Sequence, residues 1–454
     1  KPSKTKLMKD LFRYTFLILL FVLATSFSLA PPEKASEFTV SGLKVILKPS
    51  VKEIISARFF IKGGTANYTK ALEGVESLTL AVAVEGGTKK MNKTEFATAL
   101  EKIGTTIGFS TSYDYSEINM SCINEFWDQS WNLFADVIAS PRFEGKEFEL
   151  IKAQAVAQAK QAESNPDEHL RNRSMETAFA NHNYAKRPHG TTESLEKISL
   201  DNATSHFSNI IGKQNCFLVV VGNITEADLK QRVSAAFASL PAGRKPAVEP
   251  RLELKPDATV ENRDIPTNYI RGIMSAPSVN EKDGIPMMLA MAIMRDRFFV
   301  ELRTKRSLTY APSAGFASTV FNNPYATFYA SSTDPKQTLQ VMIEQINEVK
   351  NQGFKEKELK DMKETYLTGH FLGLETNASQ TMSLGLAEVG GDWRKTETFM
   401  PDVEKASIQD LNHVFKKYSS SIHWMYLGKE GAVSKDDFKQ PQILPPGEKV
   451  SPKK

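Results

Sequence analysis

The side chains that could build a metal site, a general base or a nucleophile are few in this chain, and they are scattered. The seven histidines are His169, His182, His189, His206, His370, His413 and His423. No two of them stand three or four apart, so none forms the pair of imidazoles that one helical face offers a metal. His182 and His189 fall in a polar stretch, NHNYAKRPHGTTES, and read as loop structure. Cys122 and Cys216 lie in apolar, strand-like runs where a buried free thiol is the ordinary outcome, so no disulfide is expected. Neither a Gly-rich phosphate loop nor a G-x-S-x-G elbow is present. Glu76 and Glu85 lie in EGVESLTLAVAVEGGT, Glu73 to Thr88, and read as solvated carboxylates. One pair has the chemistry to hold a peptide: Arg303 and Tyr310, seven apart in ELRTKRSLTY. A guanidinium fork and a phenol can hydrogen-bond a peptide carbonyl and stabilise charge developing on it. On their own the two read as a surface ion-pair arginine and a tyrosine at the edge of a core.

These residues must be positioned by the elements around them. Glu73–Glu85 reads as a helix, closed by Gly86-Gly87, with Val75, Leu78, Thr79 and Val82 on one face. Strands are expected at Glu37–Ile46 and Ile54–Lys62, then at Thr105–Ser112, Ser116–Cys122 and Cys216–Val221. Helices are expected at Asn92–Ile103, Trp127–Ile138, Gly145–Gln161, Pro166–Ala180, Leu200–Ile211 and Thr225–Leu240. A Pro-rich stretch, residues 241–262, reads as a linker. The plan then repeats. FEGKEFELIKAQ at Phe143 has an echo in FKEKELKDMKET at Phe354, an offset of 211. FLVVVG ending at Gly222 has an echo in WMYLG ending at Gly428, an offset of 206. A repeat of this length is a duplicated domain rather than a solenoid unit.

The frame around Glu73–Thr88 resembles the first active-site helix of the pitrilysin/insulinase-type zinc metallopeptidases, the inverzincins. There an H-x-x-E-H helix places two histidines on zinc and a glutamate on the water. Laid on this sequence, Ser77 and Ala81 stand at the histidine positions and Leu80 at the glutamate. The family spacing from Ala81 to the third ligand reaches Gln158, and the spacing from Pro166 reaches the same residue. The resemblance therefore implies a zinc site with all four groups replaced. Segment 301–310 resembles the family's L-R-x-x-R-G-L-x-Y segment, with Arg303 and Tyr310 at the positions that reach substrate and Ser307 where glycine is usual.

The resemblance covers about Phe38 to Lys429. It implies an α+β fold of two homologous domains, each an antiparallel sheet covered by helices, as in mitochondrial-processing-peptidase-like proteins. The expected bounds are 37–240 for the domain with the degenerate zinc site and 263–430 for the domain with the Arg/Tyr pair, with residues 431–454 a flexible tail. The implied function is that of a non-catalytic, substrate-binding subunit of a heterodimeric zinc peptidase. No cofactor is expected in this chain. Zinc is expected in a partner homologue bearing H-x-x-E-H, and the ligand is a peptide. The alternatives are a non-proteolytic assembly or binding protein of the same fold, and an autonomous hydrolase with another site.

The chain has 454 residues and a formal charge of +4. Residues 1–30 carry five basic residues and one acid, so the whole excess belongs to them and the remainder is neutral. A nucleic-acid partner is therefore not expected. Residues 1–30 have the order of a secretory signal: basic residues, the apolar run TFLILLFVLA, then small residues ending at Ala30. Export to a bacterial periplasm is expected, with membrane anchoring by residues 11–29 if the leader stays uncleaved.

Overall fold

The computed structural model describes residues 34–439, so the expected leader and the end of the expected tail lie outside the described residues. The first sheet comprises β1 (Ser36–Val40), β2 (Leu43–Pro49), β3 (Ile54–Lys62), β4 (Thr106–Thr111), β5 (Tyr115–Ile123) and β6 (Cys216–Gly222). Its spatial order is β1-β2-β6-β3-β5-β4. The second comprises β7 (Asp257–Asn262), β8 (Asn268–Ser275), β9 (Ser313–Phe316), β10 (Tyr325–Ser332) and β11 (His423–Gly428), in the order β9-β10-β8-β11-β7. Read from the other edge, the second sheet repeats the first strand for strand, with β1 as an extra edge strand. Each sheet is antiparallel but for one parallel pairing, β2 with β6 and β7 with β11. The α+β fold of two homologous halves is thus as the sequence implied, with that parallel pair added.

The strands β6 and β11 read as unbroken apolar runs because both of their faces are covered. Cys216, Leu218 and Val220 face the core of the first half, while Phe217, Val219 and Val221 face the opposite way. What covers that second face comes from the other half: the Asn377–Val389 helix packs Leu384 on Phe60 and Phe217. The exchange is reciprocal. The Pro166–Ala178 helix of the first half packs Leu170 on Met425 and Leu427 of β11. The two helices start 211 residues apart, at Pro166 and Asn377, which is the offset of the sequence echo. Each sheet is therefore finished by the other half's helix, and the halves are not independent cores.

The exchanged helix at 377–389 is pinned by polar contacts as well. Buried Glu388 pairs with Lys44 at 2.9 Å and Lys62 at 3.3 Å. Gly385 is the point of closest approach, where an added Cβ would stand 2.0 Å from the Phe60 ring. Gly385→Ala improves helix propensity but overpacks this contact, so a loss of about 1–3 kcal/mol is expected. Urea unfolding measures it. An unchanged midpoint would mean that the helix does not seat against Phe60.

Three expected boundaries differ. Glu37–Ile46 is not one strand but a hairpin: Ser41 and Gly42 take φ of 50° and 90°, the two left-handed residues of a tight turn. The end of the expected linker, Asp257–Asn262, is the edge strand β7, because β11 offers it a free row of backbone groups. The expected tail begins too early, since Val433 and Phe438 are buried in the second core. Cys122 and Cys216 are free and buried, on the two strands that flank β3. Among the described residues no helix is long and apolar enough to cross a membrane.

Candidate functional site

The Val75–Glu85 helix is set in place by glycines at both ends. Gly74 caps it in a left-handed conformation, φ 86°, and lies so close to Gly190 that a Cβ would stand 2.6 Å from the Gly190 Cα. The helix is buried on both sides rather than on one face. Val75, Leu78 and Val82 pack on Phe148 and Ile151, while Leu80, Ala83 and Val84 pack on the core of the first sheet. Between Val75 and Val84, Ser77 alone is half-exposed.

Glu76 departs from the expected solvated state. It is 1% exposed, and its carboxylate accepts from Asn67 Nδ2 at 3.0 Å and from the Ser116 hydroxyl. His206 Nε2 lies 3.1 Å from the same carboxylate. These partners tie the helix to a loop, to β5 and to the Leu200–Ile210 helix, so the role of Glu76 is positioning. Glu85 is exposed, as expected.

Ser77 and Gln158 line one cavity of about 520 Å³, together with Thr111, Tyr113, Arg171, His189 and Tyr325. His189, read from the sequence as loop structure, stands with Nδ1 3.2 Å from the Ser77 hydroxyl and 3.5 Å from that of Thr111. Burial and then the charge of Arg171 hold its imidazole below the ordinary value, so it is neutral at pH 7. The signal that could have found it is Gly190: a glycine at φ 80° packed on Gly74 fixes the loop directly over the helix. Leu80 and Ala81 do not share the cavity. Leu80 is sealed in the sheet core and Ala81 packs with Phe148. A zinc ion does not fit these residues, because a hydroxyl already bonded to His189, a methyl group and a neutral amide are not its ligands. Among the described residues no group of three His, Cys, Asp or Glu comes together to hold a metal ion.

Arg303 and Tyr310 are brought together, away from that cavity. The Gly284–Phe298 helix widens into a π-helical stretch at Phe299–Thr304, where Lys305 N–H donates to the Val300 carbonyl at 2.9 Å. Such widened turns recur at functional sites. The Arg303 guanidinium lies 4.4 Å from the Tyr310 ring centre and 4.8 Å from that of Phe299. Lys305 and Arg306 pair with Glu301, whereas among the described residues no carboxylate pairs with Arg303. Tyr310 is 78% exposed. Neither residue is thus in the bland place open to it, a surface ion pair or a core edge. Ser307 takes φ 52°, so the turn that a glycine would make is kept at the strain a side chain brings.

Residues 44–192 match the family described as Insulinase (Peptidase family M16), and residues 197–366 match Peptidase M16 inactive domain. The chain belongs to the peptidase M16 family. Among M16 relatives, the "Non-peptidase homolog YmxG" of Helicobacter pylori is 24% identical over 370 residues, covering 79% of this chain and 84% of that protein. An "Uncharacterized zinc protease" of Rickettsia bellii is 24% identical over 327 residues, 69% of this chain and 77% of that one. Two solved structures share the M16 fold. The peptidase M16 inactive domain from Pseudomonas fluorescens superposes with TM-score 0.80 at 19% identity, over 88% of this chain and 100% of that one. A chain of Complex III2 from Candida albicans does so with TM-score 0.74 at 16% identity, over 89% of this chain and 98% of that one.

Proposed function

We propose that this M16 chain is a non-catalytic subunit that joins a zinc-bearing homologue and helps to hold an extended peptide for it. The single observation that carries the reading is a contrast within one chain. The positions that the resemblance assigns to a metal site hold Ser77, Leu80, Ala81 and Gln158, while Arg303 stands half-buried against Tyr310 with no described carboxylate paired to it, and Tyr310 is open to solvent. A guanidinium presented between two rings is pre-organised to meet a peptide carbonyl, and a neighbouring phenol adds a second donor. Exposed apolar side chains favour a partner: Phe299 and Val300 beside the pair, and Phe371 and Leu372, each 68% exposed, at the end of the Glu356–Gly373 helix. Zinc belongs to the partner in this reading, and the compartment is the periplasm.

Co-expression with a homologue of similar length bearing H-x-x-E-H tests the pairing. The two chains are expected to co-elute at micromolar concentration, with an interface burying on the order of 1,200 Å² or more. Zinc is expected at one ion per pair and none in this chain alone. Separate elution would leave the assembly-protein reading of the fold.

A further inference from the structure

The cavity beside the Val75–Glu85 helix is lined by two arginines, Arg171 and Arg187, and one carboxylate, Glu168. Arg171, on the exchanged Pro166–Ala178 helix, lines it and pairs with Glu168 at 3.3 Å in a largely exposed contact, which holds an arginine weakly. Arg187 lines it too, but Glu176 at 2.7 Å and Glu163 at 3.5 Å take its charge.

Arg271 differs from both. It sits on β8 opposite Tyr329 and Met425, on the face that Met425 and Leu427 turn to Leu170. Its Nε is buried without a hydrogen-bond partner, and among the described residues no carboxylate pairs with it. Burial pulls its guanidinium below the ordinary range, Arg171 adds to that, and the phenols of Tyr325, Tyr113 and Tyr329 oppose it. Tyr113 and Tyr325 both line the cavity, and Tyr325 lies on the same face of the β8–β10 pair as Arg271, two same-face pairs along it. Burial pushes both phenols up, so they stay protonated and have a hydrogen to give an anion. The side chain as a whole is half-buried, and a guanidinium, which does not deprotonate in a protein, is held unfavourably where no counter-charge meets it. The volume suits a small ligand group.

We infer that this cavity binds a carboxylate of a peptide, with Arg171 in direct contact and Arg271 supplying the uncompensated charge near Tyr113 and Tyr325. A planar carboxylate matches the arginine fork and competes with the exposed Glu168 for it. The inference gives the peptide-holding reading a ligand class. Its test uses the chain alone, so either idea can fail without the other.

Isothermal titration of the full chain would compare three acetylated hexapeptides: a free acid without acidic side chains, its C-terminal amide, and the amide with one internal aspartate. Either carboxylate form is expected to bind roughly tenfold or more tighter than the plain amide, the scale of one charge-assisted hydrogen bond. Which form wins separates a peptide C-terminus from a side chain. Arg171→Gln and Arg271→Met are each expected to remove the preference. Arg271→Met should also raise the midpoint of thermal unfolding without ligand, since it replaces an uncompensated charge by an apolar chain of similar length. Equal binding of all three peptides by the wild type would overturn the inference, as would a preference that survives both substitutions. A lowered midpoint for Arg271→Met would overturn the part given to Arg271.

Discussion

Arg303→Ala, in a purified pair with the zinc-bearing homologue, is expected to lower peptide cleavage by ~10²–10³-fold, the loss that follows removal of one pre-organised donor to a developing oxyanion. Tyr310→Phe removes only the hydroxyl and leaves the ring that stacks on Arg303, so it separates donor chemistry from packing. Zinc content and co-elution of the pair should not change, because neither residue is a ligand and the substitutions delete no core contact. A fall in rate with unchanged assembly identifies residues that touch substrate. Wild-type rates for both variants would make the stack structural and favour the assembly-protein reading.

Glu76→Ala should have the largest effect on stability. The carboxylate is 1% exposed and is contacted by Asn67, Ser116 and His206. Deleting it leaves two buried polar groups, Ser116 and His206, and the half-buried Asn67 facing a void, and a loss of about 3–5 kcal/mol is expected, as when one partner is taken from a buried pair. That is a large share of the 5–15 kcal/mol by which a native protein is typically stable. Glu76→Gln keeps an acceptor and should cost less. Glu85→Ala, on the exposed end of the same helix, should stay within about 0.5 kcal/mol. Urea unfolding of the three variants orders them, and a Glu76→Ala loss no larger than that of Glu85→Ala would contradict the positioning role.

Much of this was legible in the residues because hydrophobic period and glycine placement report local structure. The run CFLVVVG declares that both faces of β6 are buried, and WMYLG does the same for β11. Neither run can say what covers the second face. The answer, the exchange of the Pro166 and Asn377 helices, depends on a crossing of the two halves that leaves no local pattern. The helix at Val75–Glu85 was misread for a related reason. Val75, Leu78 and Val82, with Thr79, satisfied the helical period on one face, but Leu80, Ala83 and Val84 bury the other side as well. Glu76 between them looked like a surface carboxylate because its partners come from positions 67, 116 and 206, distant in sequence. Of the positions that the resemblance assigns to a metal site, Ser77 and Gln158 line one cavity, from two different helices, while Leu80 and Ala81 do not. His189 and Arg271 were not legible. One is held by a Gly–Gly contact across more than a hundred residues, and the other is an ordinary strand arginine until the absence of a counter-charge is seen in three dimensions.

The proposed division of labour between two chains is tested most directly by one titration. The zinc-bearing homologue is held at fixed concentration, this chain is added, and cleavage of an unstructured peptide is followed. The expected curve rises from little activity in either chain alone to a plateau at one-to-one, with the Arg303→Ala chain reaching the same stoichiometry at a far lower plateau. Cleavage by this chain alone, or a homologue whose full rate is unaffected by its addition, would contradict it.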